Sequence, residues 1–332
     1  MVIEGDARAI LPRMPADFAQ CVVTSPPYWG LRDYGISGQI GLEDTLAGFI
    51  TTLTGLFGEV RRVLRPDGVL WLNIGDGFTS GNRGWRAPDK KNPNRAMSVR
   101  PDNPPGLKDK DLLGVPWRLA FALQADGWYL RSEVIWHKPN AMPESVKDRP
   151  TRAHEHLFMF SKSERYAYYP DAVRERAEDG SWRNRRSVWS INTSAMGGSH
   201  IASFPEELVV PCVLGSTKPK DVVFDPFFGS GTVGVVARHL GRRYVGIELN
   251  PAYVREAERA LSMPGNGRRR SGYRYPEHEH EDTLTLLETA GEHRQRSGHL
   301  PEALLSTGAV SHHPKLGPSN DQRRSRHTRG RG

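Results

Sequence analysis

A serine, two prolines and a tyrosine in succession, within Thr24-Ser25-Pro26-Pro27-Tyr28-Trp29-Gly30, can set two hydrogen-bond acceptors beside an aromatic face. Each proline fixes its own φ and pushes the preceding residue out of the helical region. Ser25 and Pro26 are thereby held extended, and the Ser25 hydroxyl and the Pro26 carbonyl can point the same way. Such a pair suits an exocyclic amino group on a flat ring. That kind of nitrogen is a poor nucleophile because its lone pair is conjugated into the ring, and two acceptors for its N–H bonds favour the pyramidal, reactive form. Tyr28 would stack on the ring. Taken alone, Pro-Pro-Tyr is also the composition of a stiff turn or a docking segment.

A second motif separates these readings. It is Val222-Val223-Phe224-Asp225-Pro226-Phe227-Phe228-Gly229-Ser230-Gly231-Thr232. A buried strand, a glycine turn and then a helix over Val233 to Leu240 let a backbone approach a nucleotide-like ligand closely. Arg243-Tyr244-Val245-Gly246-Ile247-Glu248 adds a strand ending in an acid, which can accept hydrogen bonds from both hydroxyls of a ribose. The three-glycine fingerprint of a dehydrogenase-type dinucleotide site is missing. Asp6 closes Val2-Ile3-Glu4-Gly5-Asp6, another short strand with an acid at its end.

The elements that must hold these groups read as an α/β fold. Ala19 to Val23 is a short apolar run of the kind that forms a buried parallel strand, so Thr24 and Ser25 fall at the edge where open α/β sheets bind ligands. Glu43 to Leu64 carries apolar residues at helical spacing, Arg65-Pro66-Asp67-Gly68 stops it, and Val69 to Ile74 follows as a strand. Strand, helix, strand is the pattern of a parallel sheet. Gly75 to Lys110 is aperiodic, and its Arg83, Arg86, Lys90, Lys91, Arg95 and Arg100 could follow a phosphate backbone. A helix is expected over Asp111 to Asp126. Trp128 to His137 and Glu155 to Phe160 are expected as the antiparallel edge of a mixed sheet. Within Ser181 to Trp189, three arginines alternate with two tryptophans. Arg and Asn read guanine and adenine edges, so Trp182, Arg183, Asn184, Arg185 and Arg186 form a candidate DNA-reading patch. Glu206 to Leu214 reads as a further helix.

At 332 residues and 37% apolar content the chain can bury one large core or two modest ones, and no apolar run is long enough to span a bilayer. The opening on Val2-Ile3 without a basic-then-apolar leader, and only two cysteines, Cys21 and Cys212, fit a soluble cytoplasmic protein and leave no cysteine-rich zinc site. A net charge of +8 and a pI near 9.6 suit a polyanion partner. From Pro264 the chain turns basic and histidine-rich with few aromatics, the composition of a disordered tail ending in a basic run, Arg323 to Arg331.

Asp-Pro-Phe-x-Gly-Ser-Gly-Thr followed by Gly-Ile-Glu-Leu-Asn-Pro, with Thr-Ser-Pro-Pro-Tyr upstream, resembles the S-adenosylmethionine-dependent DNA amino-methyltransferases of bacteria and phages. The motif order resembles the permuted β-class, and the likeness spans about residues 1 to 262. It implies a Rossmann-like methyltransferase fold: a mixed, mostly parallel sheet with helices on both faces, a circularly permuted motif order and a small irregular target-recognition region. It also implies that the flipped base meets Ser25, Pro26, Pro27 and Tyr28. S-adenosylmethionine would lie against Asp225, Phe227, Gly229, Ser230, Gly231 and Thr232, with Glu248 on its ribose and Asp6 facing its adenine. Ile135-Trp136-His137-Lys138-Pro139-Asn140 resembles the late motif whose loop helps to hold the base. Serine at position 25 leans towards cytosine N4, with adenine N6 as the alternative. Cytosine C5 chemistry is set aside because Pro211-Cys212 precedes the glycine motif.

The implied transfer is direct and calls for no metal. The expected division is 1–164 catalytic, 165–200 target recognition, 201–262 cofactor binding and 263–332 tail. The implied partners are double-stranded DNA and a cognate restriction endonuclease, and the protein is expected as a monomer or homodimer. An RNA or protein-glutamine methyltransferase and a DNA-binding protein without catalysis are the competing readings.

Overall fold

The structure is a computed structural model that describes residues 1–79, 102–193 and 204–262. The basic residues 83 to 100, the end of the 165–200 region and the tail lie outside the described residues.

In chain order the strands are β1 (Val2–Glu4), β2 (Ala19–Thr24), β3 (Leu64–Ile74), β4 (Tyr129–His137), β5 (His154–Ser161), β6 (Glu175–Arg176), β7 (Trp182–Arg183), β8 (Val188–Ser190), β9 (Val222–Asp225) and β10 (Arg243–Glu248). The helices are α1 (Ala7–Ile10), α2 (Leu46–Val63), α3 (Val115–Ala125), α4 (Glu206–Ser216), α5 (Thr232–His239) and α6 (Pro251–Ser262). Eight strands form one sheet in the order β1-β10-β9-β2-β3-β5-β4-β8, and β6 pairs with β7 in a separate hairpin. All neighbours in the large sheet are parallel except those of β5, which runs against both β3 and β4.

The expected antiparallel pair is therefore present but is not the edge. β8 pairs in parallel with β4 and takes that place. Its Trp189 is buried, 6.1 Å from the Trp71 ring, so this tryptophan belongs to the core and leaves the surface patch.

Both faces of the sheet are covered. One carries Val23, Trp71, Trp136 and Met159 against Leu208, Val213, Val233 and Val236 of α4 and α5. On the other, Trp117 of α3 meets Phe158 edge-on at 5.1 Å, and Phe49, Phe57, Phe158 and Phe160 are fully buried. Each such side chain stabilises the fold by about 1.5–3 kcal/mol. α2 begins three residues later than the apolar spacing predicts because Thr45 caps it, accepting the Gly48 N–H at 3.0 Å. α3 begins at Val115, after left-handed Gly114 and with Pro116 in its first turn, a position where the missing N–H costs nothing. α6 is an addition to the sequence reading; its buried Val254, Ala257 and Leu261 stand at helical spacing. Among the described residues no helix is long and apolar enough to cross a membrane.

Candidate active site

The chain leaves β2 through α2 for β3 on one side, and leaves β9 through α5 for β10 on the other. β2 and β9 are themselves neighbours, with Cys21 opposite Val223 and Val22 opposite Phe224. The strand order reverses between them, and the crevice at the carboxyl ends of such strands is where open α/β sheets take ligands. Two motifs far apart in sequence thus open on one crevice.

A buried hydrogen bond joins them: the Thr24 hydroxyl donates to Asp225 Oδ1 at 2.6 Å. The Phe227 N–H donates to the same oxygen at 3.0 Å. Asp225 is 2% exposed, and burial pushes its carboxyl up to about 7 despite these two donors. One oxygen of Asp225 therefore serves to tie the two strand ends together.

The glycine turn is shaped by backbone demands. Gly229 and Gly231 have φ of 52° and 87°, in the left-handed region where a Cβ is strained. A Cβ on Gly231 would also stand 3.0 Å from that of Ala257 in α6, so this glycine serves helix packing as well as ligand approach. Phe228 is buried inside the turn; a Cβ on Gly246 would lie 2.1 Å from its ring. Phe227, the neighbour, is only half-buried. Glu248 at the end of β10 accepts the Gly229 N–H on Oε2 at 2.7 Å and the Asn250 N–H on Oε1 at 2.8 Å. Burial raises its pKa, and these backbone donors oppose the rise. Ser230 is buried and Thr232 opens α5. The Gly5 N–H donates to the Glu248 carbonyl at 2.8 Å, which brings Asp6 beside this strand end. Asp6 caps α1 and holds Arg8 through Oδ2 at 2.6 Å.

On the other side of the crevice, Pro26 is buried while Ser25, Pro27 and Tyr28 are half-buried. The Tyr28 ring lies over the backbone just beyond β3, where a Cβ on Gly75 would come within 2.6 Å of it. Its hydroxyl donates to Glu155 Oε2 at 2.7 Å, with Asn73 Oδ1 at 3.3 Å. The other oxygen of Glu155 pairs with the Lys138 ammonium, which sits 4.2 Å above the Trp136 ring. Burial, and next the Glu155 charge, push the Tyr28 phenol well above its ordinary value.

Thr24, Asn73 and Glu155 are the residues that reading by sequence left without a role. For Glu155 a signal existed: it is an acid at the head of the expected Glu155 to Phe160 strand, with only His156 between it and the apolar Leu157-Phe158-Met159-Phe160.

The DNA-reading candidates lie elsewhere, on the β6–β7 hairpin and the segment leading to the β8 edge. Arg183 and Arg186 both point Nε at Glu175 Oε1, at 2.9 and 3.3 Å. Arg185 lies over the Trp189 ring at 4.6 Å and Arg176 over the Trp182 ring at 4.6 Å, while Trp182 and Asn184 are exposed.

The DNA methylase family matches residues 19–259. This chain belongs to that family, the S-adenosylmethionine-dependent amino-methyltransferases of DNA. It is 66% identical over 253 residues to the type II methyltransferase M.Cfr9I of Citrobacter freundii, which covers 76% of this chain and 84% of that relative. To the type II methyltransferase M.SmaI of Serratia marcescens it is 56% identical over 262 residues, 78% of this chain and 90% of the other. Among solved structures it is similar to the cytosine-N4-specific PvuII DNA methyltransferase, with a TM-score of 0.60 over 80% of this chain and 86% of that one; at 21% identity this shows the fold. It is also similar to a DNA modification methylase from Thermus thermophilus complexed with S-adenosyl-L-methionine: TM-score 0.55, 27% identity, 78% and 92% covered.

Proposed function

We propose that this chain methylates the exocyclic amino group of a base extruded from double-stranded DNA, and that the base is cytosine, modified at N4. The observation that carries the reading is the joining of Ser25-Pro26-Pro27-Tyr28 to the Gly229–Gly231 turn at one crevice through the Thr24–Asp225 hydrogen bond. Adenine N6 is the alternative, and the serine at position 25 is what favours cytosine. Cytosine C5 chemistry has no support: Cys212 is fully buried in α4, its Sγ 3.3 Å from the Leu208 carbonyl, and burial pushes its thiol far up.

The residues at the crevice fit S-adenosylmethionine. The Glu248 carboxylate takes the Gly229 and Asn250 N–H groups, with Leu249 a further backbone donor, and of its four lone pairs this leaves capacity to accept from a ribose hydroxyl. Asp6 stands beside it for the adenine, and Phe227, Gly229, Ser230, Gly231 and Thr232 form the wall for the methionine end. The cofactor supplies an electrophilic methyl group on sulfur. The protein supplies positions: the Ser25 hydroxyl and the Pro26 carbonyl accept the amino N–H bonds, which frees the nitrogen lone pair, and the proton the nitrogen gives up leaves by way of these oxygens to solvent. Tyr28 stacks on the extruded ring. Positioning and electrostatics account for the rate.

Residues 1–164 and 201–262 are the catalytic and cofactor parts of one domain in this reading, and 165–200 the target-recognition region. There Trp182, Arg183, Asn184, Arg185 and Arg186 meet DNA. As type II methyltransferases, M.Cfr9I and M.SmaI point to a restriction-modification role here, with a cognate endonuclease as companion. The test is to incubate the protein with labelled S-adenosylmethionine and mixed-sequence duplex DNA, digest to nucleosides and weigh the product. N4-methylcytosine is expected, N6-methyladenine would move the assignment to the alternative, and no methylated nucleoside would refute the function.

A further inference from the structure

Glu155 stands one residue into β5, the strand that runs against its neighbours, so its amino end lies at the same sheet edge as the carboxyl ends of β3 and β4. The register places Ile74 opposite His156 and Trp136 opposite Glu155. Antiparallel pairing thus delivers a carboxylate from a third segment to the crevice built by β2 and β9.

We propose that Glu155 is a positioning residue for base methylation: it fixes the plane of the Tyr28 ring and ties the Lys138 loop to that ring. This rests on the base-methylation reading above. A phenol has one proton to donate, and of its two acceptors Glu155 Oε2 at 2.7 Å is nearer than Asn73 Oδ1 at 3.3 Å. The raised pKa of Tyr28 keeps that proton in place. The backbone at Gly75 confines the ring at its edge and Glu155 confines it at its tip, so rotation that would spoil a stacking face is blocked at both. The carboxylate is itself held. Lys138 occupies its second oxygen and is seated over Trp136, and both members of the pair have under a fifth of their side chains exposed. The ammonium also neutralises an acid that would otherwise repel a phosphate backbone. Lys138 lies in the segment that resembles the base-holding loop, so one carboxylate couples that loop to the stacking ring.

The test compares Glu155→Gln, Tyr28→Phe and the double variant on a duplex that the parent protein methylates. It measures kcat, KM for each substrate, and the fluorescence of 2-aminopurine at the target position. Glu155→Gln and Tyr28→Phe should each lower kcat by about tenfold or more, the value of a charge-assisted hydrogen bond, with KM for S-adenosylmethionine unchanged. The double variant should be no worse than the worse single one, because both changes act on the Tyr28–Glu155 bond, Tyr28→Phe by removing its donor and Glu155→Gln by removing the charge of its acceptor and of the Lys138 pair. 2-Aminopurine should be brighter in both single variants, since an extruded base is quenched less by a ring that wanders. Multiplying losses in the double variant, or parent-like kcat and fluorescence in Glu155→Gln, would overturn the proposal. Should Glu155→Gln fail to fold, Tyr28→Phe carries the test, because it leaves the Glu155–Lys138 pair intact; parent-like kcat there overturns the proposal too. A parent protein that methylates no duplex refutes the function instead, which keeps the two failures apart.

Discussion

Replacing Asp225 by Asn should stabilise the cofactor-free protein at high pH and do little at low pH. The Asp225 carboxyl titrates near 7 in the folded chain, chiefly through burial, against 3.8 for an unperturbed group. Its folded pKa is raised, so between about pH 4 and pH 7 the folded state holds a proton that the unfolded state has released. Stability therefore falls as pH rises through that window, and the full cost is present above it. At 1.36 kcal/mol per pH unit the rise to about 7 amounts to about 4 kcal/mol. Asparagine keeps an oxygen for the Thr24 hydroxyl and the Phe227 N–H, both of which meet Oδ1, and carries no charge to desolvate. Urea unfolding at pH 5 and pH 8 measures the effect. At pH 5 only the first part of the cost has accrued, so the gain from Asp225→Asn at pH 8 should exceed that at pH 5 by roughly 2–3 kcal/mol. An equal loss of stability at both pH values would show that the carboxylate charge is not what the fold pays to bury, and would refute the reasoning. A cationic ligand should favour the ionised carboxylate, so affinity for S-adenosylmethionine in the parent should rise with pH through about 7 and lose that dependence in the variant.

Other perturbations test the site residue by residue. Tyr28→Ala should abolish methyl transfer while S-adenosylmethionine binding, followed by calorimetry, stays near the parent value; lost binding would mean that the end of β2 is misassigned. Gly246→Ala drives a methyl into the Phe228 ring, 2.1 Å away, and should destabilise the chain by at least about 1–3 kcal/mol in the same urea assay, an overpacking cost. A bulky residue at Gly231 meets both a φ of 87° and the Ala257 contact, and should remove cofactor binding; unchanged affinity would count against the glycine turn as the site. Deleting residues 264–332 should leave methylation of short duplexes nearly intact, measured as label incorporated per mole of protein.

Local chemistry made the two ends of the crevice legible in the sequence. Pro26 and Pro27 announce a rigid exit from a strand, and Gly229 and Gly231 announce positive φ, because these constraints act within a few residues. The parallel core followed from periodicity for the same reason. What the sequence left open depends on which strands become neighbours. That Thr24 meets Asp225, and that Glu155 meets Tyr28, is decided by the order β9-β2-β3-β5, which no local pattern encodes. Trp182 and Trp189 look alike in the arginine-rich stretch, yet one is exposed on a hairpin and the other is buried against Trp71 once Val188–Ser190 joins β4. Glu175 likewise gives no local sign that it gathers both Arg183 and Arg186.

The account turns on the crevice between β2 and β9 as the place where cofactor and base meet. A crystal structure of the protein with sinefungin, a stable analogue of S-adenosylmethionine, tests this most directly. The account predicts the ribose hydroxyls on Glu248, the amino-acid end along Phe227 to Gly231, and the group that replaces the transferable methyl facing Ser25 and Tyr28. Ligand bound away from Glu248, or with that group turned from Ser25, would contradict it.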